Sequence, residues 1–106
     1  MARYMVRADY GQDSMKGLLK EGGTARQAVV KKAVEALGGK LECFYWAIGE
    51  SDLYGIIEMP DSVSAQAFLC GVRAASPFAF KTSLLLTAQE MDEVAKKSTT
   101  YRGPGQ

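Results

Sequence analysis

Four short segments with alternating apolar side chains constrain this chain more than any other feature. They cover residues 3–10, 40–48, 53–59 and 77–86, and a period of two is typical of a strand whose two faces meet different surroundings. Helical spacing marks 13–21, 25–37, 63–75 and a last stretch from 88 to about Lys97. This order predicts an α+β, ferredoxin-like domain: a four-stranded antiparallel sheet, helices on one face and an extra C-terminal helix.

Residues typical of helix ends support these boundaries. Gly22-Gly23 separates the first two helices, and Gly38-Gly39 ends the second. Predicted helix starts are a capping box at Thr24 and Gln27, an N-cap in the turn 60–62, and a second capping box at Thr87 and Glu90.

Length and charge narrow the class of protein. The 106 residues are enough for one domain, predicted at 1–98 with a tail at 99–106. Thirteen basic and twelve acidic side chains give a net charge of +1, which argues against a nucleic-acid partner. No apolar run has the length of a membrane span or of a secretory signal. We therefore expect a cytoplasmic protein in which Cys43 and Cys70 are reduced.

The chain contains no histidine. This removes the commonest general base and the usual ligand of catalytic zinc and haem. The two cysteines lack the close spacing of a metal-binding pair. We therefore expect neither a metal nor another cofactor.

Strict alternation predicts which side chains share each face of the sheet. Facing the helices would be Tyr4, Val6, Ala8, Leu41, Cys43, Tyr45, Leu53, Gly55, Ile57, Phe80, Thr82 and Leu84. The opposite, open side would hold Arg3, Met5, Arg7, Asp9, Glu42, Phe44, Trp46, Ile48, Tyr54, Ile56, Glu58, Lys81, Ser83 and Leu85.

This open side is too apolar to remain exposed on a monomer. Pairing it with the same side of a second copy would bury it, and roughly 800 Å² per partner suffices for a stable interface. Charges on the buried side should then be paired, with Arg7 or Lys81 contacting Glu42 or Glu58.

Much of the chain resembles one protein family. The sequence from Gly17 to Ala65, with its Gly-Gly pairs, Arg26, Asp52 and Pro60-Asp61, and the later stretch 85–98 are similar to the bacterial GYD-domain proteins. This resemblance implies the dimeric α+β-barrel superfamily, and hence a homodimer or higher oligomer. One position departs from the family pattern, because Ser51 stands where the family usually has tyrosine.

Three side chains are candidates for proton transfer: Asp52, Glu58 and Tyr54. Asp52 is also typical of a turn residue that accepts backbone N–H bonds. Arg26, close to a helix start, could bind an anion, or it could be a solvated helix residue or form a salt bridge to a neighbouring subunit. The candidate ligand-binding residues are Arg7, Phe44, Trp46, Tyr54 and Lys81, a set that suits a planar small molecule and equally suits a dimer core.

The favoured interpretation is a homo-oligomeric domain that binds a small molecule in the cleft between paired sheets. The alternative is a cofactor-independent oxygenase or isomerase that uses a carboxylate or tyrosine there. The sequence does not decide whether the protein is an enzyme. Its expected partners are itself and a small molecule, with no nucleic acid and no membrane.

Overall fold

The computed structural model describes residues 1–77, 79–97 and 99–106. Phe78, in the predicted fourth strand, and Ser98, at the predicted end of the domain, lie outside the described residues. The elements are β1 (Ala2–Asp9), α1 (Gln12–Glu21), α2 (Gly23–Ala36), β2 (Lys40–Trp46), β3 (Leu53–Met59), α3 (Ser62–Ala75), β4 (Ala79–Leu85) and α4 (Ala88–Lys96).

The four strands form one antiparallel sheet in the order β2-β3-β1-β4. This order matches the ferredoxin-like arrangement, because the two central strands belong to different halves of the chain. The predicted α+β class, strand pairing and number of helices are confirmed. No helix in the described ranges has both the length and the hydrophobicity needed to cross a membrane.

Two of the three predicted helix starts are confirmed. Asp61 caps α3 by accepting the backbone N–H of Ser64 at 2.7 Å, and Thr87 forms a reciprocal capping box with Glu90 at the start of α4. The capping box predicted at Thr24 is wrong. Helix α2 begins at Gly23, directly after Gly22, whose φ of 97° lets the chain turn from α1 into α2 without a side-chain cap.

The core lies where α2 and α3 meet one face of the sheet. Its buried side chains are Val34, Ile57, Met59, Ala65, Phe68 and Leu69. Gly39 allows the chain after α2 to approach β3 closely, because a Cβ there would lie 2.6 Å from the carbonyl oxygen of Glu58. The close approach of this turn to β3 therefore requires a glycine at position 39.

A β-bulge in β2 reverses part of the predicted facing pattern. Leu41 pairs with Ile57, but Cys43 pairs with Ile56, so Glu42 is an extra residue opposite β3. One inserted residue moves every later side chain of a strand to the other face. The assignments of the residues after the bulge are therefore wrong: Phe44 and Trp46 face the helices, while Cys43 and Tyr45 face away from them.

Trp46 lies beneath the start of α2. Its ring nitrogen Nε1 is 3.1 Å from the position that a Cβ on Gly23 would occupy. Tyr10 and Phe44 each contact the indole edge to face, with ring centroids 5.3 and 5.6 Å away. Trp46 is therefore part of the helix-side packing, and an aromatic chamber on the open side that includes it is excluded. Ile48, predicted on the same side, lies beyond the end of β2.

Two faces of the sheet can now be defined from the strand register. The helix face carries Tyr4, Val6, Ala8, Leu41, Phe44, Trp46, Leu53, Gly55, Ile57, Phe80, Thr82 and Leu84. The open face carries Arg3, Met5, Arg7, Lys40, Glu42, Cys43, Tyr45, Tyr54, Ile56, Glu58, Lys81, Ser83 and Leu85.

Candidate functional site

An apolar cleft lies between α2, α3 and the helix face of the sheet. Its volume is about 340 Å³, and it is partly open to solvent. The floor comes from the central strands and β2, and the walls come from one side of each helix. The lining includes Val6, Ala8, Phe44, Leu53, Gly55 and Ile57 from the sheet, Val29, Val30, Ala33 and Leu37 from α2, and Ala67, Phe68, Gly71, Val72 and Ala75 from α3.

Small residues keep the cleft open. Ala33 projects from α2, while Ala67, Gly71 and Ala75 recur at intervals of four along α3, which places them on one side of that helix. A Cβ on Gly71 would meet no atom within 4 Å. The walls therefore leave space that larger side chains would have filled.

Gly55 gives the floor its shape. A Cβ at this position would lie 3.3 Å from the carbonyl oxygen of Cys43 and 3.9 Å from the Phe44 ring. Because Gly55 has no side chain, the Phe44 ring can lie over it on the helix face. The bulge and this glycine together bring an aromatic side chain into the cleft.

One end of the cleft is polar. Arg26, at the start of α2, contacts both carboxylate oxygens of Glu21 through Nε and Nη2, each at 2.8 Å. Tyr10 lines the same end, and a second cavity of about 380 Å³ beside α1 shares Tyr10 and Arg26 with it. The anion site considered for Arg26 is thus occupied by a carboxylate of the same chain, in a two-point contact that orients the guanidinium.

The Tyr10 hydroxyl is kept protonated by its surroundings. Burial raises the pKa of Tyr10 above its ordinary value, and the negative charges of Glu21 and Asp52 add to that increase, while Arg26 opposes it. At this end of the cleft, Arg26 and Glu21 form an ion pair with no net charge.

Three of the predicted ligand-binding residues lie together on the open face. Arg7 on β1 is directly opposite Tyr54 on β3 and Lys81 on β4. Arg7 also forms a 3.6 Å ion pair with Glu50. Phe44 and Trp46 lie on the other side of the sheet, so the five residues do not form a single pocket.

The two carboxylates of the open face, Glu42 and Glu58, pair with Arg3 and not with Arg7 or Lys81. Arg3 contacts Glu58 at 2.7 Å and Glu42 at 3.1 Å. The expectation that Arg7 or Lys81 would hold these two carboxylates is wrong, because the register places Arg3 directly opposite Glu58. Glu58 thus has a structural partner on the open face.

Asp52 holds two parts of the backbone together. Its carboxylate accepts the N–H of Tyr10 at 2.8 Å, its own N–H donates to the carbonyl of Ala8, and its carbonyl accepts the N–H of Ala47. The neighbouring Ser51 is only 3% exposed. These bonds fix the connection between β2 and β3 against the end of β1, which accounts for an aspartate at this position without catalysis.

The described part of the chain contains no cluster of three or more Cys, Asp or Glu side chains that could hold a metal ion. The two cysteines are free, with Cys70 exposed on α3 and Cys43 half-buried on the open face. The cleft lining is mainly apolar, with Tyr10 and Arg26 at one end.

Sequence reasoning missed the cleft as a site. It did not single out Tyr10, and it assigned Phe44 to the opposite face because nothing in the residues of β2 reveals the bulge at Glu42. Two signals were present: a glycine in the middle of β3, which often marks close backbone approach, and alanine or glycine at every fourth position of α3.

Comparison with known proteins identifies the family to which the chain is similar. A family model described as GYD domain matches residues 4–95, which covers most of the chain, including most of β1, the other three strands in full and the residues that line the cleft. No curated protein and no solved structure gives a match. The family that the sequence resembles is thereby confirmed.

Proposed function

For this chain, which belongs to the GYD domain family, we propose that it binds a small, mainly apolar molecule with an uncharged polar end in the cleft between the sheet and helices α2 and α3. The observation that carries this proposal is the cleft itself. A volume of about 340 Å³ lies within the size range of small-molecule sites.

The apolar lining provides the driving force. Burial of hydrocarbon surface is worth roughly 25 cal/mol per Å², so a ligand that fills the cleft gains free energy from both walls and from the Phe44 ring. Val29, in the lining on α2, is 49% exposed and would be covered as well. A ligand consisting of one or two rings, or of a short alkyl chain, has suitable dimensions.

The polar end of the cleft determines the ligand's head group. Because Glu21 already neutralises Arg26, a second carboxylate would have to displace it or remain close to it. A hydroxyl, carbonyl or amide can instead bond to Arg26 without breaking that ion pair. The proposed head group is therefore neutral.

Two fluorescent probes of nearly equal shape test this proposal. N-phenyl-1-naphthylamine is neutral, and 1-anilinonaphthalene-8-sulfonate adds a negative charge. We expect the neutral probe to bind the full-length protein at micromolar concentration, with a change in Trp46 emission because Trp46 contacts two cleft residues. Gly71→Leu fills the cleft and should weaken binding about tenfold or more, while Ala74→Leu, on the same helix but outside the lining, serves as the matched control.

Gly71→Leu should not unfold the protein, because leucine favours a helix by nearly 1 kcal/mol over glycine and its side chain enters open space. Equal probe binding by Gly71→Leu and Ala74→Leu would contradict the proposal. Tighter binding of the anionic probe would leave the cleft as the site but overturn the neutral head group.

The open face supports a separate proposal, that two copies pair their sheets as in a dimeric α+β barrel. Met5, Ile56 and Leu85 form an apolar centre on that face, and Tyr45 beside them is 68% exposed. Ile56→Lys places a charge in this centre and should convert a dimer into monomers, as measured by light scattering. An unchanged dimer would contradict sheet pairing without bearing on the cleft.

A further inference from the structure

Helix α4 presents an apolar stripe that its own chain does not cover. Ala88, Met91, Val94 and Ala95 follow the spacing of a single helix face, while Gln89, Asp92, Glu93 and Lys96 occupy the other side. No residue of α4 is buried, and Met91 and Val94 are 57% and 45% exposed. An amphipathic helix normally turns such a stripe toward a core.

This helix is too short to be stable without packing. It has nine residues, whereas isolated helices of fewer than about 12–15 residues are marginal in water. Its capping box stabilises only the first turn. Neighbouring Leu86 is also half exposed, so the chain from Leu86 to Lys97 forms an arm with apolar side chains and no core of its own.

The chain as a whole is more extended than a compact domain of its size. The radius of gyration is 16.8 Å and the longest dimension is 55 Å, whereas a compact chain of about 100 residues has a radius of gyration of about 13 Å. The accessible surface is 7653 Å², and a compact monomer of 11.5 kDa exposes roughly 5,800 Å². This excess, to which the exposed α4 and the tail 99–106 both contribute, is larger than the roughly 800 Å² that each partner of a stable complex buries.

We infer that the apolar stripe of α4 packs against a second copy of this chain. A two-fold exchange gives both arms the same contact, so one surface patch of the chain serves both copies. A copy of the chain also supplies apolar surface, because its open face carries Met5, Ile56 and Tyr45. This inference does not depend on a ligand in the cleft, and it assigns α4 rather than the sheet alone to the interface.

A charge placed on either side of α4 tests the inference. Met91→Glu adds one negative charge to the stripe, and Gln89→Glu adds the same charge to the polar side. We expect the full-length protein and Gln89→Glu to be dimers at 10–100 µM by light scattering, a range chosen to span weak and tight association. Met91→Glu should raise the dimer dissociation constant at least tenfold, with the circular dichroism of the sheet domain retained.

Several outcomes overturn the inference. Wild-type protein that is monomeric throughout this concentration range removes it, together with sheet pairing. Met91→Glu that dimerises as tightly as Gln89→Glu removes the role of α4, whereas Ile56→Lys alters the open face, which serves both sheet pairing and the surface offered to α4. Binding of N-phenyl-1-naphthylamine is measured in both Met91→Glu and Gln89→Glu. The proposal for α4 and the proposal for the cleft can therefore fail independently of each other.

A labelling experiment determines which chain the stripe contacts. Protein with a photo-crosslinking amino acid at position 91 is prepared in normal and ¹⁵N-labelled form, mixed in denaturant and refolded together. Crosslinked peptides that join a normal segment to a labelled segment, in the proportion expected for random pairing, support contact between copies. Crosslinks that join only segments of equal label would show that α4 folds back on its own chain and would overturn the inference.

Discussion

The two faces of the sheet use neighbouring residues for different purposes. Ile57 is buried beneath α3, whereas Ile56, one position earlier, lies half-exposed on the open face among ion pairs. The helix face combines a packed core with an adjacent open cleft, and the open face combines a small apolar centre with charges on fixed partners. The comparison shows that one strand can contribute to folding on one side and to association on the other.

Replacing each isoleucine in turn is expected to give the largest contrast between the faces. Ile57→Ala removes buried methyl groups and leaves a cavity, so it should lower the free energy of unfolding by about 3 kcal/mol, independently of protein concentration. Ile56→Ala should cost about 1 kcal/mol or less in the monomer and act mainly on the dimer. Urea unfolding at several protein concentrations measures both effects, and equal, concentration-independent losses would abolish the distinction between the faces.

The order and pairing of the elements could be predicted from the sequence because they depend on hydrophobic period and turn residues. The ends of β3, α3 and α4 were predicted to within one residue, since Asp61 and the pair Thr87 and Glu90 are strong local signals. The face of the second half of β2 could not be predicted. The residues after Glu42 alternate equally well whichever face of the sheet Phe44 occupies. The packing of Phe44 over Gly55 decides between the two faces.

Substitutions of the neighbours Phe44 and Tyr45 test which face of the sheet each side chain occupies. Phe44→Ala removes a ring that contacts Trp46 and lines the cleft, and should cost about 2 kcal/mol of stability, below the range for a fully buried phenylalanine because Phe44 is half-buried. It should also shift Trp46 emission. Tyr45→Ala should change the stability of the monomer by less than about 0.5 kcal/mol and leave the emission unchanged. The reverse ranking would mean that the bulge is absent.

The ion pairs of the open face should have a smaller effect. Arg3→Gln leaves Glu42 and Glu58 close together without a cation, and we expect a loss of about 1 kcal/mol, since all three side chains are partly exposed to solvent. Because salt screens such contacts, the loss should shrink in 1 M NaCl. Lys81→Gln, with no salt bridge found among the described residues, is the control, and an equal loss there would argue against a specific role for Arg3.

The smallest expected effect is a difference at low pH between α3, which packs on the core, and α4, which does not. Backbone N–H groups lower the pKa of Asp61 at the start of α3 and of Glu90 at the start of α4. A lowered pKa means that each cap stabilises its helix above the carboxyl group's ordinary pKa, near 4, and loses that effect as the pH falls through the lowered value.

Helix α3 keeps its core contacts when its cap is protonated, whereas α4 within a single chain has none to keep. Amide exchange in a monomeric variant such as Met91→Glu should therefore accelerate in α4 but not in α3 between pH 6 and pH 3, after correction for intrinsic rates. Equal acceleration in both helices would contradict the difference in packing.

The position of Trp46 tests the central claim of this account most directly, because the bulge, the cleft and the composition of the open face all depend on it. In nuclear Overhauser spectra of the full-length protein, the indole N–H proton of Trp46 should give cross-peaks to the α-protons of Gly23, and the indole ring should give cross-peaks to the ring of Tyr10. Cross-peaks from the indole to Tyr54, Ile56 or Arg7 instead would place Trp46 on the open face and contradict the account.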